Sequence, residues 1–520
     1  MKRAFFGLVL AFGVAVFGMQ PAGALSSDPQ LFISADNTFY AYAKAGESVS
    51  AEFLRVNHDE PFGTPREDVT ITVDGPGAEQ QRCVAPKDVP VGQGCRFAPV
   101  TAQAAGIWRV QFAVPQTAKA YPEVSPAVRW AKNLFSWNIS VKAGQTEQTG
   151  RIWTERYAIR QPADVAFTTN LNYHYVSEDG YIYRATYKGY HGQISTLSAD
   201  AVGIRSGTGC VSAYQSSEVG NTKLSPALGS CGNAYKLFFE EPAGNLPATA
   251  KTWDGKDDWV RPNISRPSIS ELNFDSDKSV DQQSGTITFF LRNFIGQYQI
   301  KIDVDNDGGF NGQNDVVIHQ QMKRLSGGLQ SVRFDGTDKT GQIISPNQKI
   351  GIMVEITKVA EIHLVAADVE GRTGGLELVR VSGNNAPTTG LCWNDTELTE
   401  MPASLTTPIL DGRACPDSTK GVHSWAYADA SWGNARYIDD WVYATAELQG
   451  TNTTVYPKED ETAVSAASGN TVAAVMAIVG GVVAAGIVVA AVILIRRKNK
   501  RPPQLPPPPP APGDPNIGSL

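Results

Sequence analysis

The twenty residues TITFFLRNFIGQYQIKIDVD, 286–305, decide the fold class. Two short runs of alternating apolar and polar side chains flank Ile295-Gly296, and the second ends in aspartates. A period of two is what a strand with one buried face requires, because successive side chains point to opposite sides of a sheet. The same pattern recurs as SVSAEFLRV (48–56), DVTITVDG (68–75), GIWRVQFAV (106–114), FSWNISVKA (135–143), GYIYRATYKGY (180–190), KIGIMVEITK (349–358) and GLELVRVSG (375–383). Each run is bounded by Gly, Pro, Asn or Asp. No stretch before residue 471 keeps a helical period for three turns. The expected fold is all-β, in tandem β-sandwich modules.

The ends of the chain set its expected location. Met1-Lys2-Arg3, an apolar run from Ala4 to Met19 and the small residues Ala22-Gly23-Ala24 read as a cleaved signal peptide, 1–24. Residues 471–495 hold no charge and no proline. At about 1.5 Å per residue they are long enough to cross a hydrocarbon layer roughly 30 Å thick as one transmembrane helix. Arg496, Arg497, Lys498, Lys500 and Arg501 follow at once and keep a 496–520 tail in the cytoplasm. The expectation is a single-pass type I protein of the cell membrane with an extracellular ectodomain. No L-P-x-T-G wall-sorting motif precedes the span, so the anchor is expected to stay in the membrane. Ala473, Ala477, Gly481 and Ala485 form a small-residue stripe suited to weak helix self-association, which chance composition explains about as well. The proline run Pro506–Pro510 favours an extended rod in the tail.

The formal charge of the chain is −7. Two bases lie before residue 25 and the tail is net +4, which leaves −13 on residues 25–470. That balance argues against nucleic acid as a partner. The ectodomain is expected to divide into modules at 25–116, 117–261, 262–382 and 383–449, followed by a small-residue polar stalk, 450–470. Six cysteines fall into three close pairs, Cys83/Cys95, Cys210/Cys231 and Cys392/Cys415. Proximity and an exported setting favour three local disulfides.

The sharpest chemical motif is DVDNDGGFNGQND, 303–315. Asp303, Asp305, Asp307 and Gly308 match positions 1, 3, 5 and 6 of a calcium loop, and Asn311 fits position 9. Asn314 stands where the bidentate glutamate belongs, with Asp315 one residue late. Flanking strands exclude a helix–loop–helix hand. The expected ligand is structural Ca2+ held by Asp303, Asp305, Asp307, Asn311 and Asp315; the alternative is an Asp/Gly-rich hairpin without metal.

Downstream, FDGTDKTGQIISPNQKIGIMVEI, 334–356, resembles the hairpin of FlgD-type immunoglobulin-like domains through Phe334, Asp335, Gly336, Asp338 and Gly341. Pro346-Asn347-Gln348 replaces the usual Ser-Gly. The resemblance implies immunoglobulin-like sandwich modules. The pattern W-x-D, G-V-H-x-W and W-G-N-x-R-x-I-D-x-W in 393–441 resembles a module of large bacterial surface proteins with repeated β domains. Together the two resemblances imply a bacterial, actinobacterial-like surface protein.

Trp393, Trp425, Trp432 and Trp441 lie within 50 residues. They suit either a stacking platform for sugar rings or the core of a small disulfide-stapled domain. Tyr173, Tyr175, Tyr181, Tyr183 and Tyr187 share one face of a hairpin turning at Glu178-Asp179-Gly180, as packing or as a ligand face. Asp439 and Asp440 beside Arg436 read as an exposed ion-pair cluster, and His58-Asp59-Glu60 as a solvated loop. No G-x-S-x-G, H-E-x-x-H or phosphate loop occurs. The expected function is non-catalytic display for adhesion or for binding an extracellular protein or glycan. A surface carbohydrate-binding protein and a non-catalytic subunit of an envelope assembly are the alternatives.

Overall fold

Alternating runs become strands where their apolar faces meet a second layer, and each of the nine runs above lies in one. The computed structural model describes residues 25–455 except 27–30, 60–64, 122–124, 162–168, 228, 265, 278–280, 326, 399–408, 428–430 and 446–450. Among the described residues every regular element is a strand, so the protein is all-β. The chain divides into Met1–Pro457 and Lys458–Leu520. The second unit, with the expected membrane span and tail, lies outside the described residues, as does the signal peptide. No helix among the described residues is long and apolar enough to cross a membrane.

Three large sheets make the body. A seven-stranded sheet centres on Ser125–Ala143 and runs through Ser48–Asp59 to Gly94–Thr101. Asp59 thus ends a strand rather than sitting in the expected loop. A nine-stranded sheet is ordered Gly371–Arg380, Ile182–His191, Thr169–Val176, Lys236–Phe238, Ile152–Thr154, Asn37–Ala43, Gly106–Ala113, Val69–Asp74 and Gln81–Ala85. A second nine-stranded sheet is built on Ile350–Ala367. Gly296–Asp303 and then Val316–Met322 lie on one side of it, with Ser195–Asp200, Arg436–Thr445 and Thr451–Val455 as its other partners.

These ladders cross the expected module boundaries. Asn37–Ala43 pairs with Ile152–Thr154 across 116/117. Ile182–His191 pairs with Gly371–Arg380 across 261/262. Ile350–Ala367 pairs with Arg436–Thr445 across 382/383. The segments drawn as tandem modules therefore share sheets. Alternation tells a strand which face to bury but not which distant strand completes its hydrogen bonds.

One local sandwich does exist. Ile287, Phe289 and Leu291 of a three-stranded sheet pack on Ile300, Ile302, Ile352 and Val354 in a core drawn from residues 287–356. The principal core runs from Leu31 to Val442 and takes Ile362, Leu364 and Ala366 from further along the same Ile350–Ala367 strand. Between the two sets the strand bends. Ala360 has φ +52° and the register with Arg436–Thr445 shifts between Val359 and Ile362. A bulge of this kind re-aims a strand, and here it carries one strand from one core into another. The Tyr183 hydroxyl donates to the Ala360 carbonyl at the bend.

The three disulfides are Cys83–Cys95, Cys210–Cys231 and Cys392–Cys415, with no free cysteine. Loops of 12, 21 and 23 residues each contribute on the order of 3 kcal/mol, chiefly by restricting the unfolded chain. In 334–344, Phe334 is buried and Asp338 accepts the backbone N–H groups of Thr340 and Gln342 at 2.8 and 2.9 Å. Gly336 sits at φ +84°, where a side chain is strained, and a Cβ there would stand only 3.0 Å from the Gln283 backbone.

Candidate functional site

The aspartate loop leaves the sheet where Gly296–Asp303 ends opposite Gly351. Asp303 and Asp315 are buried, whereas Asp305 is exposed. Carboxylate oxygens of Asp303, Asp305 and Asp315 lie within 4.8 Å of one another. The backbone holds this geometry. Asp303 accepts N–H from Gly308 at 2.9 Å, and Asp315 accepts from Val304 at 3.0 Å and Gly312 at 2.7 Å. Burial, with the Asp305 carboxyl beside it, pushes Asp303 above the usual carboxylate range. Of the expected ligands the structure brings these three together. Asp307 instead turns its Oδ1 to the Gly309 N–H at 2.6 Å, and Asn311 Oδ1 lies beside Gly309. The convergent oxygens fit a hard cation, which would relieve the repulsion among them.

The tryptophans are not a platform. Trp393, Trp425, Trp432 and Trp441 are 2%, 1%, 1% and 3% exposed, so no sugar ring can reach their faces. Trp393 lies flat on His423 with centroids 4.6 Å apart and planes 5° from parallel. Its indole N–H donates to Ile409 O at 2.6 Å, and that of Trp425 to Val369 O at 3.0 Å. The tyrosine face is likewise internal. Tyr173, Tyr175, Tyr183 and Tyr187 are buried and Tyr181 is half-buried, with Tyr175 opposite Tyr183 across the hairpin.

Asp439 and Asp440 correct the expectation of a surface cluster. Both are buried, as is Arg436, which pairs with Glu218 rather than with either aspartate. Neighbours in a strand point to opposite faces, so each aspartate serves a different network. On one face Asp440 accepts from His423 Nδ1 at 2.6 Å and Arg372 Nη1 at 2.8 Å, while His423 Nε2 donates to Asp395. Burial works against ionised Asp440, but Arg372 and His423 outweigh it and bring the carboxyl down to about 2. Burial also opposes a charged His423, and Asp395 and Asp440 overcome it and raise the ring.

On the other face Asp439 lies 3.0 Å from His363 Nδ1. The far nitrogen, Nε2, is 3.5 Å from Ser212 Oγ and 3.6 Å from Glu361 Oε1. Serine, histidine and aspartate in this order resemble a nucleophilic relay, but the electrostatics oppose one. Burial alone would strip the His363 proton, yet Asp439 and Glu361 hold the ring charged up to about 10. An imidazolium with both nitrogens protonated cannot take the proton of Ser212 near neutrality. The Glu361 side of the ring is occupied further by Tyr214, whose hydroxyl donates to Oε1. The arrangement suits a charged crosslink between segments far apart in sequence.

Sequence reasoning missed both networks. The signal lay in RYIDDWVYA, 436–444, where Tyr437 and Trp441 on one face and Ile438 and Val442 on the other mark a strand covered on both sides. The chain matches no protein-family model and no curated protein.

Proposed function

We propose that the chain is a membrane-anchored cell-surface protein that displays this β body for adhesion or ligand binding, without catalysis. The observation that carries the reading is the set of three closed disulfides with no free thiol, which calls for folding in an oxidising compartment. The leader-like residues 1–24 and the charge-free stretch 471–495 with its basic flank supply the route and the anchor. The FlgD-type resemblance of 334–356 and an actinobacterial-like surface setting belong to the same proposal. The glycan alternative loses its Trp-rich platform to burial.

Membrane fractionation with protease shaving of intact cells tests the proposal. The β body is expected in the membrane fraction and to be digested from outside, while a tag on the 496–520 tail stays protected. A cytosolic or protease-inert β body would overturn it.

Calcium belongs to this proposal as a stiffener of the local sandwich, held by Asp303, Asp305 and Asp315. A cation that binds only the folded protein adds about 2.7 kcal/mol at a hundred times its dissociation constant. Calcium is expected to raise the melting temperature of the full chain, and Asp305→Asn, at the exposed member of the triad, to abolish the rise. Melting curves that superimpose with calcium and with chelator would remove the idea.

A further inference from the structure

Lys236 is the only lysine buried among the described residues, at 1% exposure. It begins the short strand Lys236–Phe238, which lies between Thr169–Val176 and Ile152–Thr154 in a nine-stranded sheet. Among the described residues its ammonium makes one hydrogen bond, donating to Asp258 Oδ2 at 2.7 Å. Trp153 and Trp259 close around it, with ring centroids 5.3 and 4.3 Å from Nζ. Asp258 belongs to a separate element, the hairpin of Thr249–Lys251 with Asp257–Trp259. Glu155 brings a second carboxyl to 3.8 Å from the same Nζ.

We propose that Lys236 and Asp258 condense into an isopeptide bond, an amide between Nζ and Cγ formed with loss of water. Three observations carry the assignment. First, the reacting groups are in contact and held there. Asp258 Oδ1 accepts the Trp259 N–H at 2.9 Å, which leaves Oδ2 to the lysine. Fixing both partners turns a bimolecular condensation into an intramolecular one. Second, the lysine is enclosed, and a low dielectric penalises charge. Moving one proton from Nζ to Oδ2 converts the ion pair into an amine and a carboxylic acid, the two forms that react. The amide then needs an acceptor for one N–H, where the buried ammonium needed acceptors for all its donors. Third, a proton carrier stands beside the pair. Burial pushes Glu155 above the usual carboxylate range despite Lys236, and Asp258 adds to the rise. A carboxyl so raised gives and takes a proton nearer neutrality.

The step balances within these three side chains. Once the first proton has moved to Oδ2, the Nζ lone pair attacks Cγ and the N–C bond forms. Oδ1 takes the negative charge against the Trp259 N–H, which acts as an oxyanion donor. Glu155 takes a second proton from the nitrogen and passes it to Oδ2. The Cγ–Oδ2 bond breaks, Oδ1 becomes the amide carbonyl oxygen, and water departs. Asp258 is 35% exposed, which gives that water a way out. The last proton stays as the amide N–H, and Glu155 returns to its starting form. No oxidant takes part, so the bond is independent of the compartment that closes the disulfides. It fastens the hairpin to the nine-stranded sheet across a separation of 22 residues.

Tryptic mapping of the reduced full chain by mass spectrometry tests the proposal. The peptides holding positions 236 and 258 are expected as one joined species, about 18 Da lighter than their sum, with no cleavage after Lys236. Glu155→Gln, at a side chain 41% exposed, should fold and close its three disulfides. Without a proton carrier its yield of joined species should fall by about tenfold or more. Asp258→Ala should give none. Separate peptides in the wild type, with a free Lys236 amine and a free Asp258 carboxyl, would overturn the proposal, as would a bond from Lys236 to Glu155. An equal yield in Glu155→Gln would overturn the role given to Glu155.

Discussion

Replacing Asp440 with alanine should destabilise the protein by about 3–5 kcal/mol, the cost of removing one partner from a buried ion pair. Total stability of a folded domain is only about 5–15 kcal/mol, so this one change threatens the fold. The size follows from what is left behind. Arg372 is 1% exposed and His423 4%, and each loses its close contact to Asp440. Asp440→Asn should cost somewhat less, because the amide oxygen still accepts one hydrogen bond. Adding Arg372→Met to Asp440→Asn should recover part of the loss by removing the stranded guanidinium. Urea midpoints of the full chain measure all three, and a loss below about 1 kcal/mol for Asp440→Ala would show that the network is not the crosslink described.

Stability should also fall from mildly acid to alkaline pH. His363 ordinarily titrates at 6.5 and is raised to about 10 in the folded chain. The folded state therefore holds a proton that the unfolded chain releases, and the stabilisation is complete below 6.5 and lost as pH rises through 10. Between pH 6.5 and 9 that one ring accounts for on the order of 3 kcal/mol. His423 shifts in the same direction. Asp179 adds to the slope at lower pH. Burial lifts it from 3.8 to about 7, so ionising it across that window favours the unfolded chain. Among the carboxyls that oppose this trend is Asp440, whose contribution is present above 3.8 and disappears as pH drops through about 2. On these groups the optimum should lie at about pH 4, where the Asp440 gain is complete and the Asp179 loss begins. Thermal melts from pH 3 to pH 10 test the sign, and His363→Gln should flatten the alkaline side. A midpoint at pH 9 at or above that at pH 5 would contradict the account.

Much of the secondary structure was legible because alternation is a local property. TITFFLRNF and KIGIMVEITK need only their own residues to announce a face, and both fold as strands with Ile287, Phe289, Ile352 and Val354 inward. The close cysteine pairs were legible for the same reason. Sheet membership was not, since the register of Tyr183 with Arg380 or of Phe39 with Thr154 depends on residues more than a hundred positions apart. At the candidate loop, spacing found Asp303, Asp305 and Asp315. It gave Asp307 and Asn311 equal standing, because only the turn at Gly308 and Gly309 decides where those side chains point. Density of tryptophan carried no information on exposure. The Asp439-Asp440 pair looked solvated because its counter-charges, His363, Arg372 and His423, come from three separate segments.

The bent Ile350–Ala367 strand gives the body a load path. Thr451–Val455, the last described strand, lies antiparallel on its first half, with Val455 opposite Ile350. Tension entering from beyond Val455 therefore reaches a strand whose first half belongs to the local sandwich and whose second half belongs to the principal core. Pulled from that end, the protein should resist as a single spring that yields in one long step, with the hinge at Ala360 stretched early, rather than paying out slack one bead at a time.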